Sequence, residues 1–299
     1  MPHQQPVVAV AAADDHRFDL IHVPAPQARH SLLFLPGMGL SARQYIAFGQ
    51  ALARRGIETY IHEWRGIGSS SLRASRAVDW GYRELLADLQ AALGALEAQA
   101  VRPRLLIGGH SLGSQLACLL AAMRPNADSG LLIVAGGAPY WRAFSGWMRW
   151  ALPGVFFAMP AISSAIGYYP GRRLGFAGRE ARGVIRDWTA SGRRGVYAPA
   201  GLAGDLEAGL AEIQAPTLAV RMADDWFVPQ TSLDWLTGKL AGAPVAQRVI
   251  QRDGLNGAAD HYRWMREPET TAAAVFDWLG GRDEAGQSVA ASAAATRRA

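Results

Sequence analysis

The chain has 299 residues, half of them apolar, and a formal net charge of +5. This length and composition suffice for a sizeable core and suit one α/β domain that carries an insertion. The single cysteine, Cys118, excludes an internal disulfide and favours a reducing compartment, so we predict a cytoplasmic protein. The basic residues do not form the clustered stripe that reads nucleic acid, so we predict no nucleic-acid partner.

Two further features bear on membranes. Residues 6–10 are apolar but lack a basic leader, so we predict no signal peptide. No apolar run reaches the ~18 residues that a membrane-spanning helix needs. We therefore predict no stable membrane insertion.

Apolar segments at strand and helix periods alternate along the chain. Strands are predicted at residues 5–12, 17–23, 31–35, 57–62, from 105, and at 131–134, 217–222 and 245–250. Helices are predicted after Ser41, around 85–96, after Ser111, between the last two strands, and around 275–279. This alternation predicts a doubly wound, mostly parallel sheet, whose active site lies at the carboxyl ends of the strands.

Residues 140–200 break this rhythm. They hold 12 of the chain's 27 aromatic residues, and nine arginines against two acids, Glu180 and Asp187. The segment lies between two predicted strands, downstream of Ser111. We therefore expect it to form a cap over the carboxyl ends of the strands, where the active site is predicted. The predicted organisation is a core at 1–139 and 211–280, an inserted cap at 140–210, and a disordered tail at 281–299.

The pentapeptide Gly109-His110-Ser111-Leu112-Gly113 lies where a predicted strand gives way to a predicted helix. Glycine on both sides allows a tight turn that exposes the serine hydroxyl, and the helix N-terminus favours developing negative charge. This context predicts Ser111 as a nucleophile. The alternative, a chance Gly-x-Ser-x-Gly match, is common without the flanking strand and helix.

A serine nucleophile needs a base, and of the seven histidines only His261 follows Ser111. The acid that orients the base should follow the strand that ends at residue 222, where Asp224 and Asp225 stand side by side. We prefer Asp225 to Asp224. The alternative for either residue is a turn or helix-cap aspartate.

Two backbone N–H groups should form the oxyanion hole. One belongs to Leu112, the residue after the nucleophile, and the other is predicted at Met38 in the loop after the third strand. Gly37 in the same loop is predicted to contact substrate. In the cap, Tyr140 and Trp141 leave the strand edge nearest the serine, so we predict that they line the acyl pocket, although any cap aromatic can equally belong to the cap's own core.

Taken together, these motifs resemble those of the α/β-hydrolase superfamily over roughly residues 15–280. The matching residues are the Gly109–Gly113 turn, Arg65-Gly66-x-Gly68-x-Ser70, Asp225-x-x-x-Pro229, and His261 with Pro268-Glu269 beyond it. Pro139-Tyr140-Trp141-Arg142, Gly167-Tyr168-Tyr169-Pro170 and Asp224-Asp225-Trp226 are similar to a bacterial group of predicted serine hydrolases with an aromatic cap. That group resembles esterases and monoacylglycerol lipases. Pro36 departs from the family's frequent His-Gly at the oxyanion loop.

The resemblance implies an α/β-hydrolase fold and a serine hydrolase that cleaves a small carboxylic ester with an apolar acyl or ring portion. A non-catalytic, small-molecule-binding member of the fold, and hydrolysis of a thioester, amide or C–C bond, stay open as alternatives. Ser at position 111 argues against dehalogenase or epoxide hydrolase chemistry, which uses Asp there. No cofactor is predicted, and no metal site, since His62-Glu63 lacks a second histidine four residues on. The oligomeric state is left open.

Overall fold

The computed structural model describes residues 5–99, 104–125 and 130–281. Ten strands lie within these ranges: β1 (Val7–Ala11), β2 (Arg17–Val23), β3 (His30–Leu35), β4 (Ile57–His62), β5 (Leu105–His110), β6 (Gly130–Val134), β7 (Tyr169–Pro170), β8 (Arg179–Glu180), β9 (Thr217–Met222) and β10 (Val245–Ile250). Eight of them form the central sheet in the order β1-β2-β4-β3-β5-β6-β9-β10, and β7 pairs with β8 apart from it.

Strand direction in the central sheet changes only near one edge. The first two pairs, β1 with β2 and β2 with β4, are antiparallel, and every later pair is parallel. The middle strands β3, β5 and β6 are buried almost throughout, as parallel strands are when helices cover both faces. The predicted doubly wound, mostly parallel sheet is confirmed.

Helices cover both faces of this sheet, and further helices lie in the inserted segment. The helices of the described ranges are α1 (Ile46–Ala53), α2 (Tyr82–Ala98), α3 (Leu112–Ala122), α4 (Gly146–Ile166), α5 (Gly171–Leu174), α6 (Arg182–Arg194), α7 (Leu206–Glu212), α8 (Gln230–Thr237) and a last helix, α9, at residues 269–281. The apolar faces of α1 and α9 pack on one side of the sheet, and those of α2, α3 and α8 pack on the other. The predicted core helices are confirmed.

The sequence prediction differs from the structure in the inserted segment and at the end of the last helix. Helices α4 to α7 and the pair β7–β8 were not predicted; of these, α5, α7 and the two strands have only two to seven residues, too few to show a clear apolar period. Gly280 and Gly281, placed near the start of the predicted disordered tail, continue α9, and the rest of that tail lies outside the described residues.

Arg65, the first residue of the Arg65–Ser70 motif, stabilises the loop after β4. Its guanidinium donates to both carboxylate oxygens of the wholly buried Asp88 at 2.6 and 2.8 Å and to those of Asp14 at 2.8 and 2.9 Å. Ser70 accepts the Gly66 N–H at 2.9 Å within the same loop. These contacts give the motif a structural role and bring no part of it into the candidate site.

Between β6 and β9 the inserted segment (residues 140–210) forms helices α4 to α6, the β7–β8 pair and most of α7. Helix α4 packs against α6 through the rings of Phe156 and Trp188, whose centroids lie 5.3 Å apart. A Cβ at Gly192 would lie 2.6 Å from the Phe156 ring, so glycine there permits the close approach of the two helices. Among the helices of the described ranges, none is long and apolar enough to cross a membrane.

Candidate active site

Ser111 occupies the sharp turn between β5 and α3. Its backbone adopts φ 53° and ψ −117°, a strained conformation for a residue with a side chain. The turn closes only because glycine flanks it: a Cβ at Gly109 would lie 2.3 Å from the Gly113 carbonyl carbon, and one at Gly113 would lie 2.0 Å from the Leu35 carbonyl oxygen. The Ser111 N–H donates to the Val134 carbonyl at 3.1 Å, which ties the turn to the neighbouring strand β6.

His261 lies in the loop between β10 and α9, and its Nδ1 donates to the Asp225 carboxylate at 2.7 Å. The other carboxylate oxygen of Asp225 accepts the N–H groups of Phe227 and Val228 at 2.9 and 3.0 Å. Both side chains are buried, and the indole of Trp264 donates to the His261 carbonyl at 3.1 Å. With Nδ1 donating, Nε2 of the neutral imidazole is left to accept a proton.

The neighbouring Asp224 makes different contacts. Its carboxylate forms a two-point ion pair with the Arg252 guanidinium at 2.7 and 2.8 Å and accepts the Ala259 N–H at 2.9 Å. The hydrogen bond from Arg252 holds the pKa of Asp224 below its usual value. Asp224 therefore ties the loop after β9 to the chain that leads to His261, whereas Asp225 contacts the imidazole itself.

Ser111 and His261 both line one cavity of about 390 Å³ at the carboxyl edge of the sheet. Its volume falls in the range of about 300–1,000 Å³ that is usual for small-molecule sites. Most of the wall is apolar and comes from both the core and the inserted segment. The apolar side chains are Met38, Leu40, Leu112, Ala138, Pro139, Phe144, Trp147, Met148, Ala151, Leu152, Val155, Phe156, Met159, Phe176, Ala177, Trp188, Trp226, Phe227 and Val228.

The residues predicted for the oxyanion hole also border this cavity. Met38 and Leu112 are both in its wall, and within the described part of the chain neither backbone N–H has a hydrogen-bond partner. The N–H of Leu112 is free because it belongs to the first turn of α3. Both groups are thus available to a ligand in the cavity.

Gly37 lines the cavity too, but its N–H is already used. It donates to the Tyr45 hydroxyl at 2.9 Å, and that hydroxyl lies 2.7 Å from His110 Nδ1, to which it can donate in turn. Burial raises the pKa of Tyr45 and lowers that of His110, so both groups are neutral at pH 7. The Trp64 indole donates to the Pro36 carbonyl at 2.9 Å, so the loop after β3 is held from both sides.

Tyr140 and Trp141, predicted to line the acyl pocket, are not among the residues of this cavity wall. The Tyr140 ring packs against Trp235 of α8, with centroids 4.5 Å apart. Trp141 lies beneath the guanidinium groups of Arg142 and Arg149, at 5.0 and 5.6 Å. The structure corrects this expectation: these side chains turn toward α8 and toward two arginines, and later residues of the inserted segment reach the cavity instead.

Gln115 is a cavity residue that the sequence analysis missed. It follows Ser111 by four residues, one turn along α3, and is the one amide in a helix of small and apolar residues. Its Nε2 donates to the Gly137 carbonyl at 2.9 Å, while its buried Oε1 has no partner among the described residues. The signal was present in the sequence as a polar residue at helical spacing from the nucleophile.

Comparisons with known proteins agree with this architecture. A family model described as serine aminopeptidase, S33, matches residues 26–174, just under half of the chain. No curated protein sequence matches it. A solved structure of a hydrolase from Pseudomonas aeruginosa PA01 has a TM-score of 0.59 at 20% identity, covering 92% of this chain and 98% of that one.

Two esterase structures are similarly close. Est1E from Butyrivibrio proteoclasticus, solved with ferulic acid, has a TM-score of 0.60 at 16% identity over 91% of this chain and 97% of its own. A thermophilic esterase from Thermogutta terrifontis has a TM-score of 0.60 at 17% identity, covering 92% of this chain and 98% of its own. The chain has the α/β-hydrolase fold, and the matching family model supports a serine hydrolase.

Proposed function

We propose that the protein hydrolyses carboxylic esters, with Ser111 as nucleophile, His261 as general base and acid, and Asp225 as the residue that orients His261. The observation that carries the proposal is the 2.7 Å hydrogen bond between His261 and Asp225, beside the same cavity that Ser111 lines. A buried carboxylate bonded to Nδ1 holds the imidazole in the tautomer that leaves Nε2 ready to accept the serine proton.

In the proposed first half-reaction, the Ser111 Oγ attacks the ester carbonyl carbon while His261 Nε2 accepts its proton. The carbonyl π electrons move to the oxygen, and the N–H groups of Met38 and Leu112 donate to the resulting oxyanion. When the tetrahedral intermediate collapses, the C–O bond to the alcohol breaks and His261 returns the proton to the leaving oxygen. An acyl-enzyme on Ser111 remains.

In the second half-reaction, water attacks the acyl carbon as His261 accepts one of its protons. Collapse releases the carboxylic acid and returns the proton to the Ser111 Oγ, so the enzyme is regenerated with one water consumed per ester. Microscopic reversibility requires the same groups to act in both halves.

The character of the cavity supports an ester over a peptide. Its wall, which lies wholly in the described ranges, has no Asp, Glu, Lys or Arg side chain. An aminopeptidase must bind the ammonium of its substrate, and a buried ammonium without a carboxylate partner carries a large desolvation cost. An uncharged acyl group meets no such cost in this cavity.

The test is hydrolysis of p-nitrophenyl esters from acetate to decanoate, run beside aminoacyl p-nitroanilides, with wild type and Ser111→Ala. We expect ester turnover by wild type, no anilide turnover, and a rate for Ser111→Ala at least about 10³-fold lower. Undiminished ester turnover by Ser111→Ala would contradict the nucleophile. Binding of esters without turnover by wild type would favour the non-catalytic alternative, and faster anilide cleavage would favour the amide alternative.

A further inference from the structure

The outer face of α4 is apolar where a surface helix is normally polar. Trp147, Trp150 and Phe157 expose 73%, 77% and 68% of their side chains. Their spacing of three and seven residues puts them on one side of the helix. Apart from Arg149, the 21 residues of α4 carry no charge. Large exposed apolar patches on a folded protein mark contact with another molecule or a membrane.

This face is continuous with the mouth of the candidate site. Trp147 and Val155 line the cavity while they are 73% and 42% exposed. Across the cavity, Trp226 and Tyr262 do the same from the core, at 56% and 42% exposed. The opening is therefore rimmed by aromatic and apolar side chains, and the apolar face of α4 extends outward from that rim.

Arginines lie on or beside the apolar face and near the cavity rim. The Arg193 guanidinium lies 5.0 Å from the centroid of the Phe157 ring, and Arg149 lies near the first turn of α4. Arg172 and Arg173 are exposed beside Leu174, itself 51% exposed, just before the residues of the cavity rim. Within the described ranges, none of these four arginines forms an ion pair.

The two acids of the inserted segment within residues 140–200 do not balance this charge at the surface. Glu180 and Asp187 are both buried. Glu180 accepts a backbone N–H from Gly178, and Asp187 accepts one from Tyr82. Over residues 140–200, the outer surface therefore combines exposed indole and phenyl rings with arginines that have no ion-pair partner among the described residues.

We propose that this surface docks the protein on an anionic lipid bilayer, with the outer face of α4 in the headgroup region and the arginines against lipid phosphates. Tryptophan is favoured at that depth because it is amphipathic, and each nearby arginine adds electrostatic attraction. Docked in this way, the cavity mouth opens toward the lipid, so an apolar acyl chain can enter without crossing water. The docking stands on its own, whereas the entry of an acyl ester rests on the proposed function.

A second copy of the chain fits the surface less well than a lipid bilayer. A two-fold contact through α4 would bring the same surface patch from both copies together. Arg149, Arg172, Arg173 and Arg193 would then face their own equivalents with no acid to pair with. The charge on this face is complementary to phosphate and not to itself.

The test is co-sedimentation of the full chain, without substrate, with phosphatidylcholine vesicles that contain or lack phosphatidylglycerol. We expect binding to the anionic vesicles that weakens as salt rises. The variant Trp150→Ser/Phe157→Ser should bind at least about tenfold more weakly, because it loses buried apolar area at the interface. Arg172→Gln/Arg173→Gln should weaken binding to anionic vesicles only.

Phe276→Ser is the matched control, since Phe276 is 46% exposed on α9, outside the inserted segment. It should bind like wild type. Because neither Trp150 nor Phe157 lines the cavity, their double variant should hydrolyse a short soluble ester at the wild-type rate, which separates docking from catalysis. No vesicle binding by wild type, equal binding by the double variant, or concentration-dependent dimers that the double variant abolishes would each overturn the proposal.

Discussion

The core and the inserted segment meet at one cavity, and the tryptophans near it differ sharply in exposure. In the core, Trp264 is wholly buried, donates its indole N–H to the His261 carbonyl and packs edge-on against Phe48 at 5.3 Å. In the inserted segment, Trp147 and Trp150 are about three-quarters exposed. Trp264 stabilises the site, whereas Trp147 and Trp150 are free to contact another molecule or a membrane.

This difference predicts a division of roles. Substitutions in the core should change stability or the chemical step, and substitutions on the inserted segment should change what the enzyme binds. The variants below probe that division, from the largest expected effect to the smallest.

The adjacent aspartates give the largest contrast within the core. Asp225→Asn should lower kcat by about 10⁴-fold, because an amide in place of the carboxylate favours the wrong imidazole tautomer. Asp224→Asn should cost far less, since Asp224 pairs with Arg252 and not with His261. Steady-state kinetics on one p-nitrophenyl ester measure both, and an equal or reversed ranking would give the orienting role to Asp224.

A pair of tryptophan substitutions compares the two regions directly. Trp264→Ala should lower the free energy of unfolding by about 3–5 kcal/mol through the cavity that it leaves. Trp150→Ala should change it by no more than about 0.5 kcal/mol, because the side chain is exposed. Urea denaturation with both variants is the measurement. A comparable loss for Trp150→Ala would mean that the outer face of α4 is buried in the native protein in solution.

The next prediction concerns Glu180, which lies where the inserted segment meets the loop after β3. It is buried and accepts the Gly178 N–H, and Gly178 lies so close to Gly39 that a Cβ on Gly39 would be 2.2 Å from its nitrogen. Burial raises the pKa of Glu180 to about 7. Between its ordinary pKa of 4.5 and about 7 the folded protein retains a proton that the unfolded chain has lost, so this group lowers stability as pH rises.

Glu180→Gln keeps an acceptor for the Gly178 N–H but cannot ionise. Relative to wild type, the variant should therefore gain up to about 3 kcal/mol in the free energy of unfolding between pH 4.5 and pH 8. Urea denaturation across this range tests it. Parallel stability curves for the two proteins would show that Glu180 ionises as easily in the folded chain as in the unfolded one.

The smallest expected effect is on the enzyme's preference for the length of the substrate's acyl chain. Phe144→Ala removes a cavity-wall side chain and should weaken selectivity between long and short acyl chains by ~0.8 kcal/mol for each methylene that loses its contacts. Trp141→Ala, the matched control from the same segment, should leave the profile unchanged because Trp141 is outside the wall. The p-nitrophenyl ester series measures both. A selective shift with Trp141→Ala alone would restore the original sequence prediction.

The strand–turn–helix around Ser111 and the order of strands and helices, which the structure has as predicted, depend on short-range rules. Ser111 needs two flanking glycines, a strand before it and a helix after it, all within about ten residues of sequence. The order of strands and helices then limited the partners, and His261 was the one histidine after the serine. Local backbone sterics and the order of elements along the chain are therefore enough to predict the turn at Ser111 and to select His261 as its candidate partner.

The cavity wall was harder to predict because it depends on side-chain direction. Tyr140 and Trp141 follow β6 closely in sequence, but Tyr140 turns to Trp235, more than ninety residues away. Phe144 and Trp147 reach the cavity through the chain entering α4 and the orientation of α4 itself, and Phe176 reaches it from the loop before β8; no apolar period specifies these directions. Composition alone showed that the segment was aromatic and basic, not which rings face inward.

Covalent trapping of the nucleophile tests the central claim most directly. The protein is treated with a fluorophosphonate, and the adduct is mapped by mass spectrometry of proteolytic peptides in wild type, Ser111→Ala, Asp225→Asn and Asp224→Asn. We expect a single adduct on Ser111, none in Ser111→Ala, and much slower labelling of Asp225→Asn than of Asp224→Asn. An adduct on another serine in wild type, or undiminished labelling of Ser111→Ala, would contradict the proposed Ser111, His261 and Asp225 site.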